Sequence, residues 1–101
     1  MIQAGTYSAV RHYLRAVQDA ATKDTDSVVR VMRSLPVDDA TVSVGAHLRA
    51  DGRLMRDFYS FRVKKPSESR AEWDLYEKIA TVPASEAATP PEESGCPLMK
   101  R

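Results

Sequence analysis

The segment at residues 51–64 constrains the fold of this chain more than any other part of the sequence. It opens with Asp51-Gly52, a pair typical of tight turns because glycine tolerates positive φ. Residues 54–64 then alternate with a period of two, which predicts a strand with one apolar face. The apolar positions are Tyr59, Phe61 and Val63, and the polar ones are Ser60, Arg62 and Lys64. A strand with an unpaired edge invites aggregation, so this strand needs a partner strand.

The segment at residues 67–82 can supply that partner, but its pattern supports two structures. Ser69 and Glu72 fit a capping box, and Leu75, Ile79 and Val82 fit the apolar spacing of a helix. The alternative is an extended strand at residues 73–82, paired back onto residues 54–64. The residue pattern by itself favours the helix.

The first third of the chain predicts a helical hairpin. From Gln3 to about Thr22, apolar residues recur at spacings of three and four and form one stripe. The stripe consists of Val10, Leu14, Val17 and Ala21. A polar break follows, and a second helix from about Asp26 to Ser34 buries Val28, Met32 and Leu35. Pro36 lacks the amide hydrogen that a helix needs, so the second helix ends before it.

Two segments have weaker patterns. Residues 41–44 alternate and include β-branched side chains, which permits a short strand or an extended crossover. Residues 83–101 contain four prolines among Ser, Ala and Glu. This composition predicts an irregular tail that is mobile unless it docks on the rest of the protein.

Composition excludes several classes of function. The 15 basic and 14 acidic residues are interleaved and give a net charge of +1, which argues against nucleic acid as a partner. No apolar run reaches the roughly 18 residues of a membrane span. The start of the chain lacks the pattern of a signal peptide, so a protein consisting of this chain alone is expected in the cytoplasm. Leu, Ile, Val and Phe total only 20 of 101 residues, which predicts a thin core.

The sequence contains no pattern of residues for catalysis, cofactor binding or metal binding. His12 and His47 lack ligand spacing and have no accompanying cysteine pair. Asp38 and Asp39 are adjacent and are expected to point in different directions as part of a solvated turn. The four glycines are scattered and form no phosphate loop. We therefore predict no enzymatic activity and no cofactor.

Three further side chains have alternative roles. Cys96 is the only cysteine, so it cannot form an internal disulfide and is expected to be a free thiol in the tail. Trp73 and Tyr76 could stack on a ligand, but packing in a core is the favoured interpretation.

Several motifs together resemble the end of a periplasmic solute-binding protein of the branched-chain amino acid ABC transporter type. Each is weak alone, whereas their order and spacing are fairly specific. They are Ala-Gly-x-Tyr-Ser-Ala-Val at residues 4–10, His12-Tyr13-Leu14, Ala16-Val17, residues 28–33, Asp51-Gly52-Arg53, Lys-Lys-Pro-Ser-Glu-Ser at residues 64–69, Trp73-Asp74, Pro83, Ala87 and Cys96-Pro97-Leu98.

The resemblance implies two α/β lobes that close on a small solute and then contact a membrane permease. It implies that residues 1–36 are a helical hairpin of one lobe and residues 37–50 are a hinge crossing. Residues 51–83 would be the terminal β-hairpin of the other lobe, followed by an irregular tail at 84–101. The family's ligand contacts lie mostly upstream, so no ligand-binding residue is assigned and the solute stays open among amino acids, amides, urea and aromatic acids. Family ends of this type run as a strand after the Trp-Asp pair, which favours the strand at residues 73–82.

The resulting expectation is an α/β fragment, α+β as it stands, that cannot bind ligand alone. It would be a truncated product or one part of a split receptor, and its parent protein would be periplasmic. The alternative is a small stand-alone interaction protein that forms a homodimer. Exposed apolar faces predict association with itself or with the missing lobe.

Overall fold

A computed structural model describes residues 2–39 and 45–99. The elements in chain order are α1 (Ile2–Ala20), α2 (Thr25–Ser34), β1 (His47–Leu48), β2 (Leu54–Met55), β3 (Phe58–Val63), β4 (Tyr76–Val82) and the short helix α3 (Ala84–Ala87). Three 3-10 turns lie at Pro66–Glu68, Pro91–Glu93 and Pro97–Met99. This α+β arrangement of a helical hairpin followed by small antiparallel sheets is the predicted one. Within the described ranges, no helix is both long and apolar enough to cross a membrane.

Helices α1 and α2 pack against each other as the predicted hairpin. Asp24 caps α2, since its carboxylate accepts a hydrogen bond from the Ser27 amide at 3.0 Å. The helix ends at Ser34, before Pro36. Val28 is buried, and Met32 and Leu35 are half-buried, as the spacing predicted.

The face that α1 turns toward α2 differs from the apolar stripe of the sequence. The buried residues of α1 are Ser8, His12 and Ala16. Val10 and Leu14 of the stripe are instead 52% and 58% exposed. His12 on this face hydrogen-bonds to the Met32 carbonyl oxygen of α2, which turns this face toward α2 and leaves the larger apolar residues pointing outward.

The predicted strand at residues 54–64 is divided into two strands that belong to different sheets. β2 pairs with β1 in a two-residue antiparallel ladder across the Asp51-Gly52 turn, where Gly52 has φ of +83°. β3 pairs with β4 in a separate antiparallel hairpin. The helix alternative for residues 73–82 is wrong, and the strand alternative is confirmed for Tyr76–Val82.

The capping box predicted for Ser69 and Glu72 does not form in the loop between β3 and β4. Trp73 lies in a turn before β4 and not in a helix that Ser69 could cap. At the 3-10 turn the Glu68 carboxylate accepts a hydrogen bond from the Lys65 amide at 2.7 Å, which is half of a capping box, because the Lys65 ammonium cannot accept a bond in return. Lys64 and Asp74 also join the two ends of the loop, with Nζ and Oδ1 2.6 Å apart.

The buried part of the described structure is small. Its fully buried apolar residues are Ala16, Val28, Val37 and Ala46. An isolated antiparallel bridge joins Val37 to Ala46. The predicted strand at residues 41–44 lies outside the described residues. The tail contains short helical turns where a wholly irregular segment was expected.

Candidate functional site

The turn between β1 and β2 carries a mostly buried ion pair that holds the tail. Arg49 donates from Nε and Nη2 to the two carboxylate oxygens of Asp51, at 3.0 and 2.7 Å. The two side chains are only 12% and 9% exposed. Arg49 also donates from Nη1 to the Thr89 carbonyl oxygen at 3.0 Å, and Arg53 reaches the Thr89 hydroxyl at 3.4 Å. The tail is therefore docked by side chains of this turn.

The same geometry controls the ionisation of Asp51. The hydrogen bonds from Arg49 lower the pKa of Asp51 from 3.8 to about 2, helped by the Arg53 amide, which donates to Oδ1 at 3.1 Å. The carboxylate is thus fully charged at neutral pH. A fixed, charged Asp51 keeps Arg49 oriented toward Thr89.

A second charged cluster orders the loop of the β3–β4 hairpin. Arg62 on β3 binds Glu77 across the sheet and Glu68 in the loop. Arg62 lowers the pKa of Glu68, and the Lys65 amide adds to that effect. Each of these charges is paired with another charge of the hairpin. The cluster therefore stabilises the loop, and the charges of Arg62, Glu68 and Glu77 are satisfied by one another.

The other side of the hairpin is an apolar surface, which we call the aromatic face. It consists of Tyr59, Phe61, Val63 and Tyr76. The Phe61 ring lies 6.3 Å from the Tyr59 ring and 6.2 Å from the Tyr76 ring, both in edge-to-face geometry. All four side chains are exposed, from 49% at Tyr59 to 68% at Val63. Such a contiguous patch is typical of a surface that meets another protein surface.

Helix α1 carries a second exposed apolar surface, which we call the outer face. Its apolar members are Tyr7, Val10 and Leu14, and each is about half exposed. Arg11, Arg15 and Gln18 border it. Because all of these residues belong to one helix, the outer face is convex and cannot enclose a solute.

A concave region lies on the opposite side of α1, between α1, α2, Val37 and the β1–β2 pair. We call it the crevice, and its volume is about 300 Å³. Ser8 and His12 of α1 contribute to its wall. The His12 Nε2 lies 2.8 Å from the Met32 carbonyl oxygen, and His12 is 7% exposed. Sequence reasoning did not identify this crevice, because its lining residues come from separate parts of the chain.

The residues singled out in the sequence do not converge. His12 lies in the crevice, and His47 lies exposed on β1. Asp38 is exposed and Asp39 is buried, so the two residues differ in environment and the expected solvated turn is wrong for Asp39. Cys96 is a half-buried free thiol. Among residues 2–39 and 45–99, no group of three or more His, Cys, Asp or Glu could hold a metal ion.

The two aromatic residues considered for ligand stacking are both exposed. Trp73 is 81% exposed and Tyr76 is 60% exposed. The favoured interpretation, packing in a core, is wrong within the described structure. Tyr76 belongs to the aromatic face, whose β3 residues Tyr59, Phe61 and Val63 were expected to form an apolar face in need of a partner surface.

Comparison with known proteins places this arrangement in context. A family model described as periplasmic binding protein matches residues 1–70. A periplasmic binding protein from Burkholderia mallei matches at 41% identity and a TM-score of 0.86, over 95% of this chain and 25% of that one. A branched chain amino acid ABC transporter periplasmic ligand-binding protein from Burkholderia xenovorans matches at 40% identity and a TM-score of 0.88, over 96% of this chain and 26% of that one. No curated protein matches the chain. The chain thus spans about a quarter of the length of these solved structures.

Proposed function

Because the chain belongs to the periplasmic binding protein family, we propose that it supplies part of a receptor that binds a small solute for uptake by an ABC transporter. The observation that carries this proposal is the match of nearly the whole chain to one quarter of two solved binding proteins. The solute class would be amino acids or related small molecules, as for the Burkholderia xenovorans protein. The receptor would be periplasmic, would deliver its solute to a membrane permease and would perform no chemical reaction on it.

The exposed surfaces of the chain support a role as one part of a larger receptor. The aromatic face and the outer face together expose apolar side chains that a complete domain normally covers. In this proposal residues 1–36 belong to one lobe, residues 37–50 cross the hinge, residues 51–83 belong to the other lobe and residues 84–101 form the tail. The remaining polypeptide of the receptor would cover both faces.

We further propose that the chain does not bind the solute by itself. Strong binding of a small molecule requires a concave site that surrounds most of its surface. Both large apolar surfaces of the chain are open, and the charged cluster of the hairpin is already paired internally. An amino acid carries two charges that need partners, and the crevice offers it mainly apolar walls.

Reconstitution of a split receptor tests this function. The Burkholderia xenovorans protein is produced without the quarter that aligns with this chain and is mixed with the chain. Calorimetry then measures binding of leucine, isoleucine and valine, with the intact Burkholderia protein as the reference. We expect the mixture to bind the solutes that the reference binds. The remainder alone and the chain alone should give no saturable heat.

Two results would overturn parts of the proposal. Saturable micromolar binding of leucine by the pure chain would show that the rest of the receptor is not needed. A mixture that forms no complex, although the intact reference binds its solute, would contradict the role as a receptor part. A chain variant with Phe61→Lys, matched to Ser60→Lys on the opposite side of β3, tests whether the aromatic face mediates the reconstitution.

The second candidate function is a small interaction protein that forms a homodimer. The contiguous aromatic face favours it, because an exposed patch of this kind can be covered by a second copy. The same mixing experiment separates the two candidates. A receptor part exchanges its self-contacts for contacts with the receptor remainder, whereas a dedicated homodimer keeps its mass when the remainder is added.

A further inference from the structure

The crevice between α1, α2 and the β1–β2 pair has the size and lining of a binding site for a small molecule. Its volume of about 300 Å³ lies at the lower end of the range for ligand pockets. The apolar part of the wall comes from both helices, from both strands of the β1–β2 pair and from Val37. It consists of Ala9, Met32, Val37, Leu48 and Leu54.

One polar group of this wall has no partner. Ser8 is 2% exposed, and its hydroxyl makes no hydrogen bond within the described structure. A serine inside a helix usually satisfies its hydroxyl with solvent or with a backbone carbonyl of the preceding turn. A buried hydroxyl without a partner is costly, so an occupant that bonds to it would gain that interaction.

His12 adds a second polar group with a defined orientation. Its Nε2 lies at hydrogen-bond distance from the Met32 carbonyl oxygen, so Nε2 carries the hydrogen and donates. The crevice therefore presents the unused Ser8 hydroxyl and the His12 ring among apolar side chains, and no Asp, Glu, Lys or Arg is among the residues that line it.

We propose that the crevice binds a short, uncharged aliphatic molecule that carries one hydroxyl or amide group, with that group hydrogen-bonded to Ser8. The apolar wall would surround the hydrocarbon part. A charged molecule would lose its hydration without gaining an ionic partner, so free amino acids are excluded. The site is thus distinct in ligand chemistry from the solute site of the proposed receptor, and it does not depend on that function.

The test uses the full 101-residue chain labelled with ¹⁵N and titrated with 3-methylbutan-1-ol. We expect saturable shifts of the Ala9, Met32 and Leu48 amides, with a dissociation constant in the millimolar range. Ser8→Ala removes the hydroxyl and should weaken binding about tenfold, the loss of roughly one hydrogen bond. Leucine at the same concentrations should leave these amides unshifted.

A matched pair of variants tests the location. Gly5 lines the crevice, and a Cβ added there meets no atom within 4 Å. Gly5→Leu should therefore place a side chain in the crevice and abolish binding. Ala4→Leu makes the same helix more apolar at an exposed position outside the crevice wall and should leave binding unchanged.

Three outcomes would overturn the proposal. The alcohol could fail to give saturable shifts, which would mean that the crevice is filled by water or by another part of a protein. Ser8→Ala could bind the alcohol with unchanged affinity, which would remove the assigned hydrogen bond. Leucine could shift the same amides to saturation, which would contradict the exclusion of charged ligands.

Discussion

Ala21 holds a backbone conformation that suits glycine better than alanine. It follows the last residue of α1 with φ of +50°, and its amide donates to the Gln18 carbonyl oxygen at 3.2 Å. A side chain in the left-handed region costs about 1–2 kcal/mol through crowding at Cβ, and helices commonly end with glycine for this reason.

We expect Ala21→Gly to stabilise the chain. Relief of the crowding exceeds the added flexibility of the unfolded chain, and the net gain should be about 0.5–1 kcal/mol. The measurement is urea unfolding followed by helical circular dichroism. The matched variant Ala20→Gly changes the last residue of α1, which lies in the helix, and should destabilise by up to about 1 kcal/mol. Equal signs for the two variants would contradict this explanation.

The lowered pKa of Asp51 predicts that docking of the tail depends on pH. Its folded pKa, about 2, lies below the ordinary 3.8 because Arg49 hydrogen-bonds to the charged form. Stabilisation from this pair is therefore complete above about pH 4 and is lost as the pH falls through about 2. The Arg53 amide, which donates to Asp51, should report a transition near pH 2 in an NMR titration. No change is expected between pH 5 and 8.

The variant Asp51→Asn provides the control for that titration. It removes the ionisable group, so the transition at the Arg53 amide should disappear. Arg49 would also lose its charged partner and hold Thr89 less firmly. We expect limited proteolysis within residues 84–99 to become several-fold faster at pH 7. Unchanged cleavage would show that the tail is held by other contacts.

Helix α1 shows that the sequence predicts where a helix forms but not which of its faces is packed. Its 3.6-residue pattern predicted the helix correctly, because the pattern depends on the chain's own backbone geometry. It could not identify the packed face, since that depends on the partner helix. The buried residues of α1 are Ser8, His12 and Ala16, whose small or polar side chains give no hydrophobic period.

In strand β4, by contrast, the local residue pattern predicts the wrong secondary structure. Leu75, Ile79 and Val82 have helical spacing, yet residues 76–82 form a strand because β3 supplies its hydrogen bonds. The resemblance to known binding proteins predicted this strand, and the local pattern did not. The division of residues 54–64 into β2 and β3 was also unpredictable, because the two halves pair with different parts of the chain. The crevice likewise brings together residues from α1, α2 and the β1–β2 pair.

The β3–β4 hairpin contains a bulge that fixes which side chains share a face. Ser60 pairs with Ala80 and Phe61 pairs with Lys78, so Ile79 is the extra, unpaired residue. The bulge places Lys78 on the aromatic face, where its Nζ lies 4.9 Å from the Tyr59 ring centroid. The pairing on either side of the bulge is regular.

Deletion of Ile79 should therefore leave the hairpin register intact. Lys78 and Ala80 become neighbours and keep their present partners across the strand. Nuclear Overhauser contacts of Tyr59 with Thr81 and of Val63 with Tyr76 should both persist. Deletion of Ser60 from β3 is the comparison, because it leaves two residues of β4 without partners and should disrupt the contact at Thr81. Loss of both contacts in the Ile79 deletion would refute the assignment of the bulge.

The described structure as a whole is extended for its length. Its radius of gyration is 16.9 Å, against about 13 Å for a compact domain of about 100 residues. The hairpin makes most of its contacts within itself and projects away from the helical part. Burial contributes about 25 cal/mol per Å² of apolar surface, and ordering opposes folding by roughly 1.5 kcal/mol per residue. With few large buried side chains, the isolated chain has a narrow margin of stability.

This narrow margin predicts that the isolated chain associates with itself through the aromatic face. Association covers Tyr59, Phe61 and Tyr76 and adds the apolar burial that the monomer lacks. Sedimentation velocity should show species larger than the 11.2 kDa monomer, with a mass that falls on dilution. Phe61→Lys places a charge in the middle of the aromatic face and should weaken association about tenfold or more.

The matched variant Ser60→Lys separates this effect from a general effect of charge. Ser60 is exposed on the opposite side of β3, so the same added charge there should leave association nearly unchanged. Near-ultraviolet circular dichroism of the wild-type chain reports whether its aromatic rings become ordered as it associates. A cooperatively folded monomer that persists at high concentration would contradict this prediction. It would mean that the aromatic face needs no cover and that the chain is an independent small domain.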